Sequence, residues 1–183
     1  MSRVFGGYTG PVFIATGANF PDALSGGPAA AQFTAPILLS GRDGLPFKSL
    51  ELLGTTTPTK FFLLGGPSVL SSMLVTQLAK NFPGVPVERW SGSDRYATSA
   101  AISAHAFPAG ATTVFLAIGT NYPDALSGGP AAADAPGPIL LTQSTCMPAP
   151  IYAELQRLNP TRIVLLGGPT VLADSAATTM CSS

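Results

Sequence analysis

Short apolar blocks set between glycines, prolines and polar turns give the chain its rhythm. Val12-Phe13-Ile14-Ala15, Ile37-Leu38-Leu39 and Phe61-Phe62-Leu63-Leu64 are brief, rich in β-formers and closed by turn residues. They predict buried strands, since a helix needs a longer periodic run. The stretches between them read as helices. Asp22 stands where an N-cap opens a helix through Ser25, and Gly26-Gly27-Pro28 is expected to interrupt it. Pro28 then begins a second helical piece through Ala31, because proline suits a first turn. The small residues here predict close packing on a sheet. Further helices are predicted from Leu45-Pro46 through Leu53, over 68–78 and over 94–107. Val85-Pro86-Val87-Glu88-Arg89 reads as a short strand near an edge, because Pro86 cannot donate to a ladder. Val114-Phe115-Leu116-Ala117 then starts the same order again. Apolar strands alternating with helices predict an α/β fold, a parallel sheet with helices on both faces. The glycine-rich turns all follow strands and so lie at the carboxyl edge, where open α/β sheets bind ligands.

The pattern repeats residue by residue. Positions 19–31 and 121–133 differ only in Phe20 against Tyr122, at an offset of 102. Pro36-Ile37-Leu38-Leu39 returns as Pro138-Ile139-Leu140-Leu141, and Leu63-Leu64-Gly65-Gly66-Pro67 as Leu165-Leu166-Gly167-Gly168-Pro169. A repeat of this length is a domain rather than a solenoid unit. It predicts two modules, over 1–84 and 85–183. Duplicated domains more often mean repeated binding or stacking than repeated catalysis.

Composition narrows the picture. Charged residues make up 10 % of the chain and hydrophobic ones 46 %, with nine basic residues against nine acidic. That balance argues against nucleic acid as the partner, which would need a clustered basic face. So low a charge suits a surface covered by neighbours or one adapted to the outside of a cell. No apolar stretch is long enough to span a bilayer. The residues from Met1 to Gly7 hold no apolar signal core. That leaves a cytosolic protein, or a start inside a larger gene. Cys146 and Cys181 lie in the second copy only, with Gly44 and Ala79 at the corresponding first-copy positions. They read either as a staple on the last module or as two unrelated buried thiols. A staple would add about 3–4 kcal/mol and imply an oxidising compartment.

Four ordered motifs then point to a family. Arg89-Trp90-Ser91-Gly92-Ser93-Asp94-Arg95-Tyr96-Ala97-Thr98 leads into Gly119-Thr120-Asn121-Tyr122-Pro123-Asp124-Ala125-Leu126, then Pro138-Ile139-Leu140-Leu141, then Gly167-Gly168. This series resembles the cell wall binding repeat 2 family of secreted Gram-positive proteins, over nearly the whole chain. The resemblance implies Rossmann-like modules in tandem, often three about a pseudo-threefold axis. It also implies non-covalent attachment to the cell wall through an anionic polymer, an extracellular location and packing against further repeats. The first copy lacks the leading R-x-x-G-x-D-R-Y motif, which suggests a chain that starts inside a module. The second copy stops after its Gly-Gly-Pro helix, as a final module would.

Each candidate residue has a plain reading beside a functional one. Asn19 and Asp22, with Asn121 and Asp124, form N-F/Y-P-D motifs. The aspartates could cap helices, or act as an acid, a base or a metal ligand. Gly65-Gly66 and Gly167-Gly168 make tight turns, and their N–H groups could receive a phosphate. No Walker lysine or full G-x-G-x-x-G accompanies them. Arg89, Asp94, Arg95 and Tyr96 form the best polar cluster. Asp94 could cap a helix or pair across modules, Arg95 could grip phosphate or carboxylate, and Tyr96 could stack on a sugar. Ser25 and Ser127 lack the G-x-S-x-G elbow, and His105 is the single histidine. No catalytic residue, metal or cofactor is expected. The reading is a non-catalytic pair of wall-anchoring modules. Its rivals are an α/β enzyme using Asp22, Asp124 or Asp94 on a sugar or phosphate, and a structural surface-layer component.

Overall fold

The computed structural model describes residues 7–120 and 136–182. Two parallel sheets organise it. The first holds β1 (Thr9–Thr16), β2 (Ile37–Ser40), β3 (Thr57–Leu64) and β4 (Val87–Trp90), in the order β2-β1-β3-β4. The second holds β5 (Thr113–Ile118), β6 (Ile139–Thr142) and β7 (Arg162–Leu166), in the order β6-β5-β7. Phe13 aligns with Ile37 and Phe62, and Phe115 aligns with Ile139 and Val164. The sequence offset is thus kept as strand register. β4, which lies beyond the expected 84/85 division, pairs with β3. Pro86 precedes it at the sheet edge, where the ladder asks nothing of an absent N–H.

Among the described residues the helices are α1 (Pro21–Gln32), α2 (Phe47–Leu53), α3 (Ser72–Asn81), α4 (Arg95–Ala106) and α5 (Ala149–Leu158), with a 3-10 turn at Asp174–Ala177. Alternation along the strands assigns their places. Val12, Ile14, Phe61 and Leu63 face Leu53, Leu74 and Leu78 of α2 and α3. Phe13, Ala15, Phe62 and Leu64 face the other way, onto Ala29 and Ala30 of α1 and Ile102 of α4. In the second sheet Val114, Leu116 and Leu140 pack on Ile151, Leu155 and Leu158 of α5. Phe115, Ala117, Ile139 and Leu141 pack on Leu24 of α1. Helices α1 and α4 therefore fill the space between the sheets and serve both. Buried apolar area, the main stabilising term, is shared across the repeat boundary. A polar bond ties α4 to the second sheet within the second copy: the Leu141 N–H donates to Ser99 Oγ at 2.9 Å in a buried position.

Three local expectations are corrected. Gly26-Gly27-Pro28 does not break α1, which runs unbroken through Pro28. Gly26 is there for closeness: a Cβ on it would lie 2.2 Å from Leu64 Cδ1. Residues 68–71 are not helical. α3 begins at Ser72, where Ser71 Oγ accepts from the Met73 N–H at 3.2 Å. The last module's Gly-Gly-Pro segment leads into a four-residue 3-10 turn rather than an α-helix.

Cys146 and Cys181 are joined in a disulfide, with Cα atoms 5.0 Å apart. Beside it Met147 bridges Met180 in parallel. The Met147 N–H donates to Thr179 O at 2.8 Å, and the Cys181 N–H to Met147 O at 2.9 Å. The C-terminal segment is thus laid along the loop that follows β6.

Candidate functional site

Three strand ends of the first sheet open onto one cleft of about 180 Å³. The segment after β1 supplies Asn19, Pro21 and Asp22. The turn after β3 supplies Gly66, Ser68 and Val69. The segment after β4 supplies Gly92, Ser93, Asp94 and Arg95, with Thr98 from α4. The cleft lies at the carboxyl edge, as parallel topology requires.

Asp22 is the group most out of keeping with its surroundings. It is only 9 % exposed. A Cβ on Gly65 would lie 2.4 Å from Asp22 Oδ2 and 2.7 Å from Val69 Cγ2, and Gly65 has φ +114°. Only glycine fits at that position. Burial pushes the Asp22 carboxyl up to about 6, and the positive charge of Arg95 partly opposes this. Loss of water disfavours the ionised form more than one guanidinium restores it. The expected cap is not made. α1 is entered from Phe20 with no side-chain cap, and Pro21 takes the first position. Proline suits that position because its φ is already helical and a missing N–H costs nothing there.

The other members of the polar cluster act as fasteners. Arg89 donates through Nη1 to Gly65 O at 2.6 Å and through Nη2 to Leu70 O at 2.8 Å. The Gly65 N–H donates to Trp90 O at 3.0 Å. Together these bonds hold the turn behind Asp22. Asp94 caps α4, its Oδ1 accepting from the Ala97 N–H at 2.8 Å. Arg95 reaches from the start of α4 to the second sheet, where its Nη1 donates to Gly119 O just beyond β5. Tyr96 is half-buried between the two cores of the second sheet. Its ring fills the place where a Cβ on Gly119 would stand, 2.7 Å away.

Sequence reasoning thus named residues that do converge: Asn19, Asp22, Gly66, Asp94 and Arg95 line one cleft, with Gly65 and Arg89 behind it. The expected helix start at Gly65-Gly66 is absent, so the first N–H groups of α3 are not aimed from that turn. Gly167 and Gly168 do not line this cleft. The Gly168 carbonyl receives the Val171 and Leu172 N–H groups at 2.9 and 3.0 Å. Asn121 and Asp124 lie outside the described residues. Ser68, Ser93 and Thr98 were missed, because nothing in the sequence around these hydroxyl residues shows which of them reach a shared cleft. Ser99, whose hydroxyl joins α4 to β6, was missed for the same reason.

A larger cavity of about 400 Å³ lies nearby, lined by Thr16 to Phe20, Ala23, Leu24 and Leu39. Its lining is chiefly apolar. Leu39 is 54 % exposed there, whereas Leu141, its counterpart one repeat later, is fully buried. His105 stacks on Trp90 at 4.9 Å, and Trp90 Nε1 donates to Glu88 Oε1 at 2.7 Å. Among the described residues no group of three His, Cys, Asp or Glu side chains is placed to hold a metal. No described helix is long and apolar enough to cross a membrane.

Comparison with known proteins follows the same two-part layout. The family profile described as cell wall binding domain 2 (CWB2) matches residues 2–75 and 89–177. N-acetylmuramoyl-L-alanine amidase LytC of Bacillus subtilis (strain 168) is 30 % identical over 85 % of this chain. The amidase enhancer of the same strain is 30 % identical over 81 % of it. The chain spans 30 % and 19 % of those two relatives. Among solved structures, Cwp6 from Clostridium difficile superposes with a TM-score of 0.83 at 26 % identity, over 93 % of this chain and 27 % of its own. Cwp8 from the same organism gives 0.78 at 29 % identity, over 94 % and 29 %.

Proposed function

The chain belongs to the cell wall binding domain 2 family, and on that premise we propose that it is a non-catalytic pair of modules holding a secreted protein on the Gram-positive cell wall through an anionic polymer. The observation that carries this reading is the convergence of Asn19, Asp22, Gly66, Asp94 and Arg95 on one cleft at the carboxyl edge of the first sheet. The cleft offers hydroxyl groups and one guanidinium beside the carboxyl groups of Asp22 and Asp94, a polar lining that suits a sugar chain. A second, weaker contact on the same chain would add avidity through effective concentration. The repeat division at 84/85 belongs to the same reading, and so does a location outside the cell.

Co-sedimentation tests it. The purified chain is expected to pellet with Gram-positive walls and to stay in solution once their accessory polymers are stripped. Equal capture by stripped walls counts against the polymer. Turnover of a sugar or phosphate substrate by the purified chain counts against a purely binding role.

One further partner follows from the repeat itself. Leu141 is buried beneath Leu24 of the preceding copy, while Leu39 lies open beside a largely apolar cavity. A further repeat of the same kind would cover Leu39 as the first copy covers Leu141. Leu39→Lys should leave the monomer folded and abolish any such association in sedimentation velocity.

A further inference from the structure

The cleft is poorly charged for the ligand class proposed above. With Asp22 and Asp94 both ionised, Arg95 leaves it one net negative charge. An anion entering would meet a buried carboxylate with little water to screen it. Asp94 is committed to capping α4. Arg89 is turned to Gly65 O and Leu70 O, and Arg95 is held on Gly119 O by one of its nitrogens. Of the charged side chains lining the cleft, Asp22 is the one with no hydrogen bond among the described residues. Its neighbours from the β3 turn, Gly65, Gly66 and Ser68, carry no charge. The carboxylic acid form resolves the conflict, since it removes the repulsion and adds an O–H donor.

We propose that this cleft is a subsite for an anionic oxygen group of the wall polymer, phosphate or carboxylate, and that Asp22 meets it as a neutral acid donating a hydrogen bond. The inference rests on the wall-binding reading. Its consequence is a pH-dependent grip. The proton is bound from solution as the ligand enters, so mild acid tightens binding and alkali loosens it. The raised carboxyl places the change near pH 6.

The test is wall co-sedimentation of the full chain from pH 5 to pH 8, at fixed ionic strength, with wild type and Asp22→Asn. Wild-type affinity is expected to fall about tenfold between pH 5 and pH 7, following the protonated fraction of a group that titrates near 6. The amide of Asn is neutral throughout and can donate, so Asp22→Asn should bind at pH 8 about as tightly as wild type at pH 5. Carbon-13 detection of the Asp22 carboxyl gives an independent reading. Its midpoint should move up when stripped walls are replaced by polymer-bearing ones. A pH dependence that survives in Asp22→Asn overturns the inference, because the titrating group then lies elsewhere. Wild-type capture unchanged from pH 5 to pH 8 overturns it while leaving the wall-binding reading in place. No capture at any pH overturns both. Walls carrying phosphate-bearing or carboxylate-bearing polymer then identify the group held.

Discussion

Asp22 shows how one residue can work against the fold that holds it. Its carboxyl titrates near 6, above the ordinary range, because burial outweighs the pull of Arg95. The sign follows directly. The native state binds the proton more readily than the unfolded chain, so stability falls as pH rises from about 4 to 6 and stays at the lower level above that. Asp22→Asn should therefore stabilise the protein by roughly 2–3 kcal/mol at pH 7.5 and by almost nothing at pH 4. Urea melts at both values check this. Gly65→Ala should act the other way. The new methyl meets Asp22 and Val69 at 2.4 and 2.7 Å on a left-handed backbone. A loss of about 1–3 kcal/mol is expected in thermal melts. Residues that cost stability and face a cleft are where function is sought.

Among the elements, α4 is the most consequential. Asp94 caps it, Ile102 touches the first sheet, and Ser99 accepts from the Leu141 N–H of the second. Ser99→Ala leaves that buried N–H without its acceptor and should cost about 1–3 kcal/mol. Faster hydrogen exchange at Leu141 would be the local sign. The elements also show what could be read in advance. The strands were legible because apolar β-forming runs between glycines have one easy reading, and the repeat confirmed them at the same spacing. α1 was misread at Gly26-Gly27-Pro28, because its glycine answers to Leu64, thirty-eight positions away in the chain. The start of α3 was misplaced because the turn after β3 is fixed by Arg89 and Trp90, again distant in sequence. The cleft residues could be named from their motifs. Their roles could not, since burial and partnership are set by tertiary contacts.

The whole molecule depends on two ties, one covalent and one built from packing. The disulfide closes a sequence separation of 35 residues, and the chain-entropy relation assigns it about 4 kcal/mol. A Cys146→Ser, Cys181→Ser double variant should lose about that much in urea titration, with its earliest exchange around Met147 and Met180. The second tie is the α1–α4 layer shared by both sheets. The unit that repeats in sequence is out of phase with the unit that buries a core, so neither sheet keeps its inner cover if the other is drawn away. If the chain holds a protein on the cell wall as proposed, that sharing has a mechanical meaning. Stretched end to end in an optical trap, with the disulfide reduced, the chain should rupture in one step rather than shed its halves in turn.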